Sequence, residues 1–308
     1  MSSENLKQAE KNHRRRKRKQ ALVAYSFIAP NFIGFAIFTL GPIILAFIIA
    51  FMEWDGNNAM KFVGLQNFTT IFSEDRFVSS LRNTLVYSVF TVPITLIIAL
   101  GLAILLNQKI WGRNFFRTVT FFPYVASLVA VTAVWNMLFT PAKGGIMNQF
   151  LMNVLHMAPS KWAASPKTVM LTIIMFSVWK NMGYYMVIYL AGLQGISEDL
   201  YEAASLDGAN ALQRFWYVTV PQLRPTTFFV SIMLTINCFK VYDIVYMLAG
   251  GSNGVINKSA IVIVYYIYEE AFRNWKLGKA SASAIILFAI VLVITLIQFR
   301  GERNYAND

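Results

Sequence analysis

Long apolar blocks alternate with short polar segments along this chain. Six blocks, at about residues 24–52, 84–106, 118–140, 169–193, 226–248 and 280–299, each approach the roughly 20 residues a helix needs to cross bilayer hydrocarbon. Within lipid the backbone must satisfy its own hydrogen bonds, so each block predicts a transmembrane helix. Pro30, Pro42, Pro93 and Pro123 fall inside blocks and predict kinks rather than ends. Two more stretches, 145–157 and 256–272, are apolar but interrupted, and read as interfacial or partly re-entrant helices. A seventh crossing at 256–272 is the alternative to this count, and Glu269 and Glu270 argue against it. The expected fold class is all-α, a polytopic integral membrane bundle of six helices.

Composition agrees with the pattern. The 308 residues are 56% hydrophobic and only 14% charged, against about 25% charged in soluble domains. The net charge of +12 could suggest nucleic acid, but eight of the 27 basic residues precede Ala21. The run Arg14 to Lys19 abuts the first apolar block, as a cytoplasmic retention signal does, and contact with anionic lipid headgroups comes with it. No small-residue cleavage site follows, so a cleavable signal peptide is not expected. Residues 1–21 read as a basic cytoplasmic tail and 22–308 as the membrane domain. With the N-terminus inside, cytoplasmic segments hold 15 basic residues and outer loops 10, which favours both termini inside. The single Cys238 excludes an internal disulfide and any cysteine metal site.

One polar segment, residues 197–225, interrupts the apolar blocks on the cytoplasmic side. Ser197 reads as an N-cap, with Glu198 and Asp199 complementing the helix dipole. A short helix over 198–206 stops at Asp207-Gly208, where glycine suits a left-handed conformation. A second short helix is expected from about Asn210 to Tyr217, and Pro221 and Pro225 close the unit. Ala203 and Ala204 permit close approach of a partner, and Glu202 offers it a carboxylate. A mere connecting loop is the plain alternative. The chain has no G-x-x-x-x-G-K-[ST] loop: Gly278-Lys279 is the only Gly-Lys pair, and Arg273 stands where the first glycine would be.

Within the blocks, Lys180 lies about ten residues into the fourth, or about 15 Å deep at 1.5 Å per residue. A buried charge there is a functional candidate, although bonding to a backbone carbonyl or to a partner subunit also accounts for it. Lys240 and Asp243 are three residues apart on one face of the fifth block, where they can pair with each other.

The segment EAA at 202–204, DGA at 207–209, Phe215, Pro221 and Pro225 resemble the cytoplasmic loop of membrane subunits from bacterial ATP-binding-cassette importers. The likeness spans nearly the whole chain, through FVGLQNF (62–68), LRNT (81–84), LLN (105–107), FFRT (115–118), FFPYV (121–125), AGLQGISEDLYEAA (191–204), VYDIVYMLAGG (241–251) and ASASAIILF (280–288). It is similar to the carbohydrate branch, the first membrane subunit of maltose-type and multiple-sugar systems. Val218 and Val220 stand where Ile and Leu are usual, and Ser197 where proline is usual. The large outer domain and extra amino-terminal helices of the maltose subunit are not expected.

The resemblance implies a permease in the bacterial plasma (inner) membrane, paired with a second, homologous permease. Two ATP-binding subunits would bind ATP-Mg, an extracytoplasmic sugar-binding protein would deliver the saccharide, and this chain would be neither an enzyme nor a cofactor or metal carrier. It implies that Glu202, Ala203, Ala204, Asp207 and Gly208 couple to the ATPase. It also implies cargo contacts at Lys180, Asn181, Tyr184, Met233, Ile236, Asn237 and Lys240. Asn181, Asn237 and Tyr184 suit hydroxyl recognition, and the two lysines invite an acidic, uronate-containing oligosaccharide.

Three rivals remain at this level. An ion-coupled transporter of a small polar solute needs acids in the membrane, and Asp243 is the only one away from block ends. An intramembrane enzyme needs catalytic groups at depth, whereas His13 and His156, the only histidines, lie outside the blocks. A structural scaffold would have no use for the docking loop.

Overall fold

The computed structural model describes residues 3–249 and 256–305. Helix α1 (Ser3–Phe35) passes through a π-turn at Ala36–Leu40 into α2 (Gly41–Ile49). There the Gly41 amide bonds to Ala36, five residues back, just before Pro42. Pro42 has no N–H to give, so the ladder changes register and the helix continues. A small antiparallel pair, β1 (Met52–Glu53) with β2 (Lys61–Phe62), follows. It is an exception to the all-α expectation.

The chain continues through α3 (Gln66–Phe72), α4 (Asp75–Asn107), α5 (Arg113–Val125), α6 (Leu128–Leu138), α7 (Ile146–Asn153) and α8 (Val169–Gln194). Next come α9 (Glu198–Leu206), α10 (Ala211–Arg214), a π-turn at Phe215–Thr219, α11 (Val220–Gln222) and α12 (Arg224–Phe239). The last elements are α13 (Asp243–Ala249), α14 (Ile256–Ser259), α15 (Ile263–Tyr268), a π-turn at Glu269–Arg273 and α16 (Leu277–Tyr305).

Among the described residues, three helices are long and apolar enough to cross a membrane: Arg15–Ile49, Asp75–Asn107 and Leu277–Glu302. Two bent pairs raise the number to five if each is one span. Helix α8, the expected fourth span, is continuous over 26 residues, but Lys180, Asn181 and three tyrosines keep it out of that apolar set.

The structure corrects two expectations about the apolar blocks. Block 118–140 is not one straight helix, because α5 and α6 meet at 100°. The backbone leaves the helical region there, with ψ 146° at Ala126 and 126° at Ser127. Block 226–248 is bent by 51° between α12 and α13. Segment 256–272 does not form a seventh span: its helices are too short, and Ala260, Ile261, Val262 and Ile263 are fully buried.

Helices α4 and α8 form the central pair. Ser80, Thr84, Ser88, Thr91, Thr95, Ala99 and Ala103 are buried along α4 at intervals of three or four residues. Small side chains on one face let two helix backbones approach closely in a membrane, where lipid offers no hydrophobic drive to association. At one end, a charged seam ties α4 to the last two helical segments. Arg76 pairs with Glu269 and Lys279 with Glu74. The Tyr266 hydroxyl donates to Glu74 at 2.6 Å.

Candidate functional site

Local chemistry builds the polar segment as a knob of two short helices. Ser197 accepts the Asp199 amide and caps α9, as its sequence position implied. Gly208 ends the helix at φ +79°. A Cβ at Gly208 would meet nothing within 4 Å, so conformation alone selects glycine there. Asn210 and Gln213 form a reciprocal capping box that opens α10. The second helix differs from the expected Asn210–Tyr217. It is α-helical only over Ala211–Arg214 and then widens into the π-turn, because Pro221 cannot donate to the ladder beyond it.

Arg214 donates to the Ser205 hydroxyl at 2.9 Å, and Tyr201 and Thr219 share a hydroxyl bond at 3.0 Å. These two links hold α9 against the second helix. Glu202, Ala203, Asp207 and Gly208 are exposed on this knob, and Ala204 is half-buried. Three large apolar side chains not singled out from the sequence join them: Leu206 is 89% exposed, Tyr217 80% and Trp216 57%. A polar segment that exposes such side chains has a surface suited to a protein partner.

The second group of residues lies at the bend between α5 and α6. The Lys180 ammonium donates to the carbonyls of Pro123 at 2.9 Å, Tyr124 at 3.3 Å and Ala126 at 3.3 Å. All three of its protons are thereby engaged, on carbonyls that the break in the helix leaves without amide partners. One turn along α8, Gly183 meets α5 so closely that a Cβ would lie 2.0 Å from the Thr120 carbonyl oxygen. Tyr184 stacks on Tyr124, centroids 4.4 Å apart and planes 16° apart.

Helix α12 joins this site through Asn237, whose amide donates to the Tyr185 hydroxyl at 3.2 Å. The Asn181 amide is turned back to the Ser177 carbonyl at 2.8 Å. Met233 and Ile236 are half-buried on α12. Lys240 caps α12 and is exposed, and among the described residues it makes no ion pair with Asp243. The expected pair fails because the helix breaks between the two residues, which removes their shared face. Tyr124 and Tyr185 are the site residues the sequence did not reveal, since each is recruited through a neighbour on another helix or turn.

Comparisons with known proteins place the chain in a family. The family model of the binding-protein-dependent transport system inner membrane component matches residues 92–305. The probable ABC transporter permease protein YesP of Bacillus subtilis is 36% identical over 94% of this chain and 93% of its own. The arabinooligosaccharides transport system permease protein AraP of the same organism is 31% identical over 92% and 90%. A chain in the crystal structure of a bacterial alginate ABC transporter, solved in complex with an alginate pentasaccharide-bound periplasmic protein, superimposes with a TM-score of 0.83. It is 23% identical, covering 94% of this chain and 97% of that one. The chain therefore belongs to the family of binding-protein-dependent transport system inner membrane components, as an ATP-binding-cassette permease for sugar transport.

Proposed function

We propose that this chain is one of two homologous permease subunits of an ATP-driven oligosaccharide importer. In this reading it crosses the bacterial plasma membrane six times, with both termini in the cytoplasm. Helix α8 supplies the crossing that its polar centre keeps out of the apolar set. The observation that carries the reading is the capped knob over 197–225, with Glu202 and Leu206 exposed. Glu202, Ala203, Ala204, Asp207 and Gly208 engage a groove on an ATPase subunit, which binds ATP-Mg. A second copy of that subunit serves the other permease, and an extracytoplasmic binding protein delivers the sugar. The chain itself needs no cofactor.

Cargo passes between α8 and α12. Asn181, Tyr184 and Asn237 meet sugar hydroxyls and ring faces, and Met233 and Ile236 supply apolar contact. Lys240, exposed and without an ion-pair partner among the described residues, is the group available for a uronate carboxylate. Lys180 stands beneath this set and holds the bend.

The test is co-purification of the tagged chain from its host in mild detergent, beside a Glu202→Ala, Gly208→Pro variant. The wild type should bring down a second permease and an ATPase, and the variant should lose the ATPase alone. A wild-type chain that emerges alone refutes the reading. For the cargo, Lys240→Met should abolish uptake of an acidic trisaccharide and spare a neutral one. Equal loss or retention of both refutes the assignment of Lys240.

A further inference from the structure

A polar cavity of about 500 Å³ lies away from the bend, where β1, β2 and α3 meet the start of α16. Its walls are set by the chain itself. Asp55 accepts the Asn57 and Asn58 amides at 3.0 and 2.8 Å, and the Asn58 side chain at 2.6 Å. The Trp54 indole donates to the Asn58 carbonyl at 3.0 Å, and the Leu277 amide donates to the Trp54 carbonyl at 3.0 Å. Gly278 is pressed against β1, where a Cβ would lie 2.1 Å from the Met52 carbonyl oxygen. Trp275 is held at φ +53°, a region that bulky residues rarely occupy. Its ring covers Gly56, itself at φ +88°. Such an outlier persists only where surrounding contacts over-determine it, and outliers of this kind cluster at ligand clamps.

The lining chemistry indicates what would fit. Two indoles, Trp54 and Trp275, border the space. Among the described residues, the side chains of Glu53, Lys61, Gln66 and Lys276 face it without a hydrogen-bond or ion-pair partner. Lys279 is already engaged by Glu74. The charges that remain at the cavity are two acids, Glu53 and Asp55, against two lysines, Lys61 and Lys276. A phosphate or an anionic lipid headgroup calls for an excess of cation. A pyranose needs aromatic faces for its C–H surface and a mixture of donors and acceptors for its hydroxyls, and the volume is within the range of small-molecule sites.

We propose that this cavity is a saccharide subsite on the face opposite the knob, where it holds one sugar unit of an incoming oligosaccharide apart from the α8–α12 site. The proposal rests on the importer reading above. It places the strained Trp275 as the stacking wall and Lys61, Gln66 and Lys276 as hydroxyl partners.

The experiment measures binding of tritiated arabinotriose, maltotriose and trigalacturonate to the complete importer in nanodiscs, with Asn237→Ala present to weaken the α8–α12 site. At least one probe should still bind. Its affinity should fall about tenfold with Trp275→Ala, the loss of one aromatic contact. It should fall equally with Ala59→Trp, which fills the cavity and leaves the Trp275 backbone untouched. Binding unaffected by both variants, or absent once Asn237 is replaced while the wild type still binds, overturns the subsite and leaves the importer reading standing. Displacement of the probe by phosphatidylglycerol in the disc assigns the cavity to lipid and also overturns it. A wild-type importer that neither binds nor imports any of the three probes sinks both readings.

Discussion

The ammonium of Lys180 lies 2.9 Å from the carbonyl oxygen of Pro123, across 57 residues of chain. A cation at the carbonyl end of a helix satisfies both the unpaired acceptors and the negative end of the helix dipole. Here that cation comes from another helix, so Lys180 both ends α5 and fastens it to α8. Lys180→Met should destabilise the assembled permease by about 1 kcal/mol or more, the cost of leaving part-buried acceptors unmet. Thermal unfolding in detergent measures this. Competition between acidic and neutral trisaccharides for uptake should be unchanged, and a shifted preference with unaltered unfolding would return Lys180 to the cargo site.

Gly183 and Gly101 make a controlled pair. A methyl group on Gly183 would lie 2.0 Å from the Thr120 carbonyl, whereas one on Gly101 meets nothing within 4 Å. Backbone cannot yield as a side chain can, so Gly183→Ala should cost about 3 kcal/mol or more. Gly101→Ala, in the interior of α4, should be neutral or stabilising by up to about 1 kcal/mol through helix propensity. Melting temperatures of the two variants that move together would refute the close crossing of α5 and α8.

The exposed Leu206, Trp216 and Tyr217 should contribute to ATPase retention alongside Glu202. Leu206→Ser is expected to weaken co-purification of the ATPase about tenfold or more, in line with truncation of a central interface anchor. Circular dichroism should not change, because the side chain touches little of its own subunit. Full ATPase recovery on Leu206→Ser would place the docking contact elsewhere on the knob.

Glu74 gives the fold a pH dependence. Burial alone would raise its pKa, but hydrogen bonds from Lys279 and Tyr266 outweigh that and hold it below its ordinary value of 4.5. A carboxyl depressed in the folded state stabilises the protein above the unfolded pKa, and that contribution is lost as pH falls through the folded one. Stability should therefore be level from pH 7 to 5 and decline below about 4.5. Glu74→Gln should be less stable at pH 7 and should flatten the decline, read as unfolding midpoint against pH. An unchanged slope in the variant would assign the acid loss to other groups.

What was legible in the sequence was local. Ser197, Gly208 and the helix between them follow from capping chemistry contained within a dozen residues. The 100° break was not legible, because Pro123 in an apolar block reads as an ordinary kink. What stabilises the sharper bend is Lys180, and nothing near Pro123 in sequence announces it. The Lys240–Asp243 pairing failed for a related reason, since spacing of three places two residues on one face only while the helix continues. Of the candidate site, Lys180, Asn181 and Asn237 stood out in the sequence as polar residues at depth, whereas Tyr124 and Tyr185 did not. A tyrosine in an apolar block has no mark that separates a packed ring from a lining one.

The uninterrupted course of α1 has a consequence for the basic tail. Residues Ser3 to Gln20 continue the first span as one helix, a rod of about 27 Å at 1.5 Å per residue. In the proposed topology the run Arg15 to Lys19 lies nearest the headgroups, and salt screens interactions beyond about 8 Å at physiological ionic strength. Only the last turns, around Lys17 to Lys19, fall within that screening length. In that topology the anchoring force of the tail is expected at its base.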